Sequence, residues 1–284
     1  MSLNLDAIIY SLPSRFGGIS VYFKQLVLRA LNCYNVSILL PDHISSPFDS
    51  SDCSYYKPRL LERYRSPRSL SSGILHSSYY RVSRKPDITN VVTIYDFIYE
   101  KYASSLARSV HTLQKRNAIK NASALLCISN STRRDLLNYY PFIDESRVFV
   151  TPLAASSSYK PISNLSNLYS DFTPYILFVG GRTEYKNFFL AVHTISLLTD
   201  VSLLIVGGGP LSSEHSHLLN TLLPSRFLFL GYQTDEQLNT LYNNALCLLY
   251  PSKYEGFGIP PLEAMSAGCP VVVSRTSSLP EVVG

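Results

Sequence analysis

Between Tyr175 and Ser274, short apolar runs alternate with segments of helical periodicity, and this alternation constrains the fold more than any other feature of the chain. Tyr175–Val179, Ser202–Val206, Phe227–Leu230, Ala245–Tyr250 and Val271–Ser274 read as strands. Lys186–Leu198, Leu211–Leu223, Asp235–Asn243 and Pro260–Ala267 read as the helices between them. A strand-then-helix rhythm of this kind builds a parallel sheet.

The first half keeps the same rhythm less regularly. Leu5–Tyr10 reads as a strand, followed by a turn-rich segment with Gly17-Gly18 and a helix whose apolar residues run from Ile19 to Ala30. Val36–Leu40 is a second strand, and from Pro41 to Pro86 Ser, Pro, Tyr and Arg dominate, which predicts irregular chain or short elements. Order returns with a strand Val91–Tyr95, a helix Leu106–Asn121, a strand Ala124–Ile128, a helix opening at Ser129-Asn130-Ser131 and a strand Val148–Thr151. Residues 154–173, rich in Ser, Asn and Pro, read as a linker. The expectation is α/β: two Rossmann-like domains facing across a cleft, residues 1–160 and 161–284. The 284 residues are long for one ordinary domain and short for two full-sized ones.

Charge separates the halves. Residues 1–160 hold 20 Lys/Arg against 11 Asp/Glu, a balance of +9, whereas 161–284 hold 5 against 9, or −4. Within the basic half, Tyr55 to Arg68 and Tyr79 to Lys85 interleave aromatics with cations. Three readings stand: a solvated loop, contact with an anionic bilayer or lipid phosphate, and nucleic-acid stacking, the last being the weakest. No apolar run approaches the ~20 residues of a membrane span. The start of the chain carries no basic segment ahead of a long apolar one, and five cysteines at unpaired spacing fit a reduced compartment. The expected location is the cytoplasm, with a peripheral position at the inner face of the membrane left open by the basic half.

The run Tyr254-Glu255-Gly256-Phe257-Gly258-Ile259-Pro260-Pro261-Leu262-Glu263-Ala264-Met265 follows a strand, so it falls at the carboxyl edge of the sheet, where open α/β folds bind ligands. Pro260 and Pro261 suit the first turn of a helix, whose amino end can hold an anion such as a diphosphate. Glu263, placed within that first turn, can accept hydrogen bonds from a vicinal diol, and Glu255 can reach another part of the same ligand. Taken singly, the two acids could equally be a helix-dipole partner and a solvated loop residue.

This run resembles the signature of the retaining GT-B glycosyltransferases of family four, the glycosyl transferases group 1, in which two glutamates are separated by seven residues. The likeness continues through Ala267-Gly268-Cys269-Pro270-Val271-Val272 and Ser277-Ser278-Leu279-Pro280-Glu281-Val282, as in mannosyltransferase-like members. Ile176-Leu177-Phe178-Val179-Gly180-Gly181-Arg182 with Lys186-Asn187 resembles the family's first strand and loop of the nucleotide-binding domain. There Arg182 and Lys186 would neutralise the leaving diphosphate; alone, they could be ordinary surface cations. Gly207–Gly209 could line a base pocket or simply make turns. Gly17-Gly18-Ile19 matches the family's glycine loop, which would bring backbone amides to the donor phosphate or the acceptor. His76 to Arg81 and Thr93 to Phe97 resemble segments bordering the cleft, placing His76 and Asp96 on the acceptor side, although Asp96 could equally fix a loop. Tyr95 stands where many relatives carry histidine. Ile128-Ser129-Asn130-Ser131 resembles a family segment too, with a helix cap the better reading.

The resemblance implies a hexosyltransferase that moves a hexose, mannose among the candidates, from a nucleoside diphosphate sugar to a saccharide or lipid-linked saccharide in polysaccharide biosynthesis. Glu255, Lys186 and Arg182 would be its catalytic residues, and Glu263, Gly256, Phe257, Gly258, Gly17 and Gly18 would bind the donor. Residues 1–160 would bind the acceptor. No cofactor or metal is expected: there is no Asp-x-Asp triplet, phosphate loop or dinucleotide fingerprint, and His215 and His217 lack a third ligand nearby. Nucleic acid is not expected as a partner. Family members continue beyond Leu279-Pro280-Glu281-Val282, so the second domain is expected to be incomplete at Gly284. The competing readings are a GT-B epimerase or phosphorylase and a catalytically silent relative that binds a nucleotide sugar or a partner protein.

Overall fold

The computed structural model describes residues 2–11, 17–46, 48, 50–68, 72–163, 169–172 and 174–284. Residues 12–16 of the expected glycine-loop turn and 164–168 and 173 of the expected linker lie outside them. The chain divides into two compact units, Met1–Leu153 and Ala154–Gly284. The division falls earlier than the expected 160/161 because Tyr159 packs in the core of the second unit, and the Lys160 amide donates to Asn239 there at 3.0 Å.

In the first unit the order is β1 (Leu3–Asp6), α1 (Gly18–Leu31), β2 (Val36–Pro41), β3 (Cys53–Tyr56), β4 (Gly73–Ser77), β5 (Ile88–Ile94), α2 (Ile98–Tyr102), α3 (Ser105–Asn121), β6 (Ala124–Cys127), α4 (Asn130–Tyr139) and β7 (Val148–Val150). The strands form a seven-stranded sheet, β3-β2-β1-β4-β5-β6-β7, parallel throughout. One expectation changes. The strand expected at Leu5–Tyr10 ends at Asp6, and residues 8–11 form a 3-10 turn in which the Ile9 amide is taken by the Ser78 hydroxyl at 3.0 Å. β3 and β4 are short elements inside the stretch expected to hold irregular chain or short elements. β3 is an edge strand with Ser54 and Tyr55 exposed. In β4 the buried residues include His76 and Ser77, satisfied by Thr93 at 2.8 Å and Asp6 at 2.7 Å rather than by apolar packing.

The segment between β3 and β4 is anchored by one buried cation. Arg81 donates to Asp6 at 3.0 Å, to Glu62 at 2.6 Å and to the Arg65 carbonyl at 2.9 Å. Its charge is thus compensated on two sides, as a buried guanidinium requires.

The second unit contains β8 (Tyr175–Val179), α5 (Phe188–Ser196), β9 (Ser202–Val206), α6 (Ser213–Leu222), β10 (Phe227–Gly231), α7 (Asp235–Asn244), β11 (Cys247–Tyr250), α8 (Ile259–Ser266), β12 (Val271–Val273) and α9 (Leu279–Val283). Its sheet is β10-β9-β8-β11-β12, again parallel. β8 and β9 are buried at every position, because alternate side chains enter different cores. Tyr175, Leu177 and Val179 pack with Leu241, Tyr242 and Ala264 of α7 and α8. Ile176 and Phe178 pack with Phe188, Ala191 and Ile195 of α5 on the other face. This covering of both faces is why the strands read as unbroken apolar runs. α5 starts at Phe188 rather than Lys186, since Asn187 adopts φ 57° and residues 184–186 form a 3-10 turn. α9, not expected from the sequence, closes the described chain.

Candidate active site

β8 lies between β9 and β11, so the chain winds outward in one direction through β9 and β10 and in the other through β11 and β12. The loops leaving the carboxyl ends of β8 and β11 therefore part at a topological switch point, the usual ligand position in an open parallel sheet. Two side chains meet there. Lys186, after β8, places Nζ 2.7 Å from Oε1 of Glu255, after β11, and 2.8 Å from the Tyr250 hydroxyl. The two loops are also joined through backbone: the Lys253 amide donates to the Tyr185 carbonyl at 2.7 Å. Gly180, at φ 128°, lies beneath the ammonium, and a Cβ there would sit 4.0 Å from Nζ. Burial disfavours the ammonium, but Tyr250 and Glu255 outweigh it and hold the Lys186 pKa above the ordinary lysine range. The cation thus stays charged at the sheet edge.

The loop that carries Glu255 is braced from the β12–α9 connection. The Glu255 amide donates to the Ser277 hydroxyl at 2.9 Å, and the fully buried Ser278 hydroxyl lies 3.0 Å from the Glu255 carbonyl and 2.7 Å from that of Phe257. Ser277 pays for this position with a left-handed φ of 48°. Gly258 caps α8 at φ 110°, where a Cβ would stand 2.8 Å from a Leu279 methyl. Pro260 and Pro261 carry no N–H, so the donors at the amino end of α8 come from residues before them. The amides of Phe257, Gly258 and Ile259 make no hydrogen bond among the described residues. Three unpaired donors at a helix start form an anion-binding arrangement.

Arg182 takes up a different position from the expected one. Its Nη1 donates to the Gly207 carbonyl at 2.8 Å, and its Nη2 to those of Gly208 at 2.9 Å, Gly209 and Pro210 at 2.9 Å. Nε is buried without a hydrogen-bond partner among the described residues. The guanidinium therefore clamps the loop after β9, and its charge reaches a ligand at the sheet edge only through space. Gly207, Gly208 and Gly209 all have positive φ. At Gly208 a Cβ would lie 2.6 Å from the Gly180 carbonyl, so this position admits only glycine.

Glu263 is likewise displaced from its expected place. α8 begins at Ile259, which puts Glu263 in the second turn rather than the first. Its carboxylate accepts from the Tyr242 hydroxyl at 3.2 Å, and the neighbouring Tyr159 hydroxyl donates to Asp235 at 3.1 Å. Burial, opposed by the Tyr242 bond, pushes the Glu263 pKa up to about 7.

Residues 167–284 match the family model of the glycosyl transferases group 1. This segment belongs to the glycosyl transferases group 1 family. An O-antigen chain mannosyltransferase B of Escherichia coli is 33% identical over 180 residues, 59% of this chain and 47% of the relative. The chain thus spans less than half the length of that relative. Among solved structures, a sucrose-phosphate synthase from Thermosynechococcus elongatus superposes with a TM-score of 0.76 at 18% identity, over 98% of this chain and 82% of that one. The Anabaena protein HepE, solved in complex with UDP and glucose, gives 0.73 at 14% identity, over 100% and 83%. At these identities the structural likeness establishes the fold, which is the GT-B fold.

Lys186, Glu255, Gly256, Phe257 and Gly258 of this group 1 glycosyltransferase segment are gathered at one sheet edge. The first-unit candidates are placed separately. Gly17 caps α1 and Gly18 is its first residue, with Gly17 at an ordinary φ of −95°. His76 is buried against Thr93 and Phe23, and burial pushes its pKa down to about 4, so it is a neutral core histidine rather than an open acceptor contact. Asp96 accepts from the Ile98 amide at 3.0 Å just before α2, which fits the loop-fixing reading. Tyr95 is buried with its hydroxyl on the Ser78 carbonyl at 3.2 Å. Ser129 caps α4 through the Thr132 amide. Sequence reasoning missed Tyr250, Ser277, Ser278 and Tyr242. Tyr250 ends an apolar strand and gave no polar signal, and the serines lie in the family-like continuation without a stated role.

Proposed function

We propose that this chain is a retaining glycosyltransferase that moves a hexose, mannose first among the candidates, from a nucleoside diphosphate sugar to a saccharide or lipid-linked saccharide acceptor. The observation that carries this reading is the Lys186–Glu255 pair beside the unpaired amides of residues 257–259. When a glycosyl–phosphate bond breaks, negative charge develops on the diphosphate, and fixed donors at that place lower the barrier. The helix-start amides and the Lys186 ammonium would receive this charge, with the Arg182 guanidinium adding a field from behind the glycine loop. Glu255, held by Lys186 and Tyr250, would accept hydrogen bonds from hydroxyls of the transferred sugar. Glu263 would accept from the ribose diol.

In the retaining step the bond from the anomeric carbon to the phosphate oxygen breaks, and the acceptor oxygen bonds to that carbon on the same face. The acceptor proton passes to the departing phosphate oxygen, so no side-chain nucleophile or resident cofactor is required. The mannosyltransferase named among the relatives and the UDP and glucose in the HepE complex support a nucleotide-sugar donor. The first unit would supply the acceptor contacts. All five cysteines are free thiols, which supports a reducing compartment.

The test is a mass-spectrometric screen of nucleoside diphosphate sugars with and without saccharide acceptors. Sugar transfer or donor hydrolysis is expected, reduced at least about a hundredfold by Glu255→Gln and by Lys186→Ala. Unchanged turnover in both variants would overturn the site assignment. Donor binding without turnover under any acceptor would favour a non-catalytic nucleotide-sugar-binding protein.

A further inference from the structure

On the face of the second sheet covered by α7 and α8, two tyrosine hydroxyls meet two carboxylates. Tyr242 of α7 is fully buried and donates to Oε2 of Glu263 at 3.2 Å. Tyr159 is also buried, packs edge-on against the Tyr242 ring with centroids 5.9 Å apart, and donates to Asp235 at 3.1 Å. Phenylalanine at either position would fill the same core, so apolar packing does not account for the hydroxyls. Both end on acids instead. Burial raises the Glu263 pKa most, the Tyr242 bond lowers it, the Asp235 charge raises it again, and the Tyr159 hydroxyl lowers it. The two phenols therefore favour the ionised carboxylate, the form that only accepts hydrogen bonds.

Tyr159 belongs to neither a helix nor a strand, and the short segment that holds it is fastened to α7. The Lys160 amide donates to Asn239 at 3.0 Å, the Ile162 amide to Asn243 at 2.9 Å, and Nδ2 of Asn243 returns to the Lys160 carbonyl at 3.0 Å. Asn239 and Asn243 are four residues apart on α7, so they stand side by side along the segment. Pro161 lies against Gly268 after α8, 3.7 Å from where a Cβ would stand there. The Tyr159 hydroxyl is thus held at a fixed height beside the two acids. Ordering a glutamate side chain costs up to about 2 kcal/mol, and a site that has already ordered it binds its ligand more tightly. Tyr242 takes one of the roughly four lone-pair sites of the carboxylate, which leaves acceptor sites for a vicinal diol.

We infer that Tyr159 and Tyr242 are positioning residues that hold the Glu263 carboxylate toward the ribose diol, and so make the site selective for ribonucleoside over 2′-deoxyribonucleoside diphosphates. The inference rests on Glu263 meeting the ribose, as proposed above, and names the residues that aim the acid. Without the Tyr159 hydroxyl the two carboxylates face each other with no phenol between them. Repulsion then turns Glu263 aside or protonates it, and either response takes an acceptor away from the 2′-hydroxyl.

Calorimetric titration of the full chain with GDP, UDP and ADP and with their 2′-deoxy forms tests it. The wild type is expected to bind at least one ribonucleotide about tenfold more tightly than its 2′-deoxy form, the scale of one hydrogen bond to a charged group. Tyr159→Phe and Tyr242→Phe keep the rings, and each should weaken the ribonucleotide about tenfold while leaving the 2′-deoxy form within about twofold. Tyr175→Phe is the control: it removes a buried phenol of the same core, whose hydroxyl donates to the Leu241 carbonyl at 2.8 Å, and should keep the preference. In a Glu263→Gln background Tyr159→Phe should add nothing, because its effect passes through the acid. Equal loss for both nucleotide forms, a preference that survives both variants, or a wild type that binds both forms alike would overturn the positioning role and leave nucleotide binding in place. A wild type that binds none of the three ribonucleotides would overturn the donor reading and this inference with it.

Discussion

Nζ of Lys186 and Oε1 of Glu255 are 2.7 Å apart, with only 14% and 9% of their side chains exposed, so each residue is the other's counter-ion. Removing one partner of a buried pair leaves an uncompensated charge and costs about 3–5 kcal/mol, whereas removing both costs much less. Lys186→Ala is therefore expected to lower the melting temperature, and Lys186→Met/Glu255→Gln to recover most of it. Turnover should not recover, because in the proposed function the ammonium and the carboxylate act on the ligand as well as on each other. Thermal denaturation and donor turnover on the same three proteins check this. Joint recovery of both would make the pair purely structural.

Ser278 connects stability to the shape of the donor loop. Its hydroxyl serves the Glu255 and Phe257 carbonyls from a fully buried position. Ser278→Ala leaves those carbonyls without this donor, at about 1–3 kcal/mol, and frees the loop on which Glu255 sits. The expected result is a higher KM for the donor with a smaller change in kcat, since Lys186 and Glu255 themselves remain. Steady-state kinetics against donor concentration check it, and a fall in kcat alone would contradict it.

Arg182 was legible in the sequence as a cation at a strand end, and its partners were not. A fork that satisfies the Gly207, Gly208, Gly209 and Pro210 carbonyls depends on three successive left-handed glycines, and nothing in the local pattern states where their carbonyls point. The same limit applies elsewhere. The second unit's strands were readable because both faces of β8 and β9 are apolar. β4 was not, because His76 and Ser77 are buried by hydrogen bonding to Thr93 and Asp6, residues distant in sequence. The Glu255–Glu263 spacing marked the candidate loop, while Tyr250, Ser277 and Ser278 became visible only when the strands brought their loops together.

The Arg182 clamp yields its own test. If the guanidinium acts chiefly by holding the glycine loop, Arg182→Lys should resemble Arg182→Ala, because an ammonium keeps the charge but cannot reproduce the fork. If charge near the diphosphate dominates, lysine should restore most of the activity. The clamp predicts the first outcome, together with faster hydrogen exchange of the 207–209 amides in both variants, measured by mass spectrometry.

Glu263 gives a pH dependence with opposite signs for stability and for binding. Its pKa is about 7 in the folded chain against an ordinary value of 4.5. Between those values the folded chain holds a proton that the unfolded chain has released, so stability contributed by this group is greatest below 4.5 and declines as pH rises through 7. In the proposed function the ribose diol donates to this carboxylate, so donor affinity should rise over the same interval. The Glu263→Gln variant carries no titrating group there. The wild-type minus variant difference in melting temperature should therefore fall with pH up to about 7 and then level off, while nucleotide affinity of the variant should stay flat. Calorimetric titration with nucleoside diphosphate at several pH values checks the second half. An equal rise in affinity for both proteins would remove Glu263 from the donor site and leave the Tyr242 contact as its whole role.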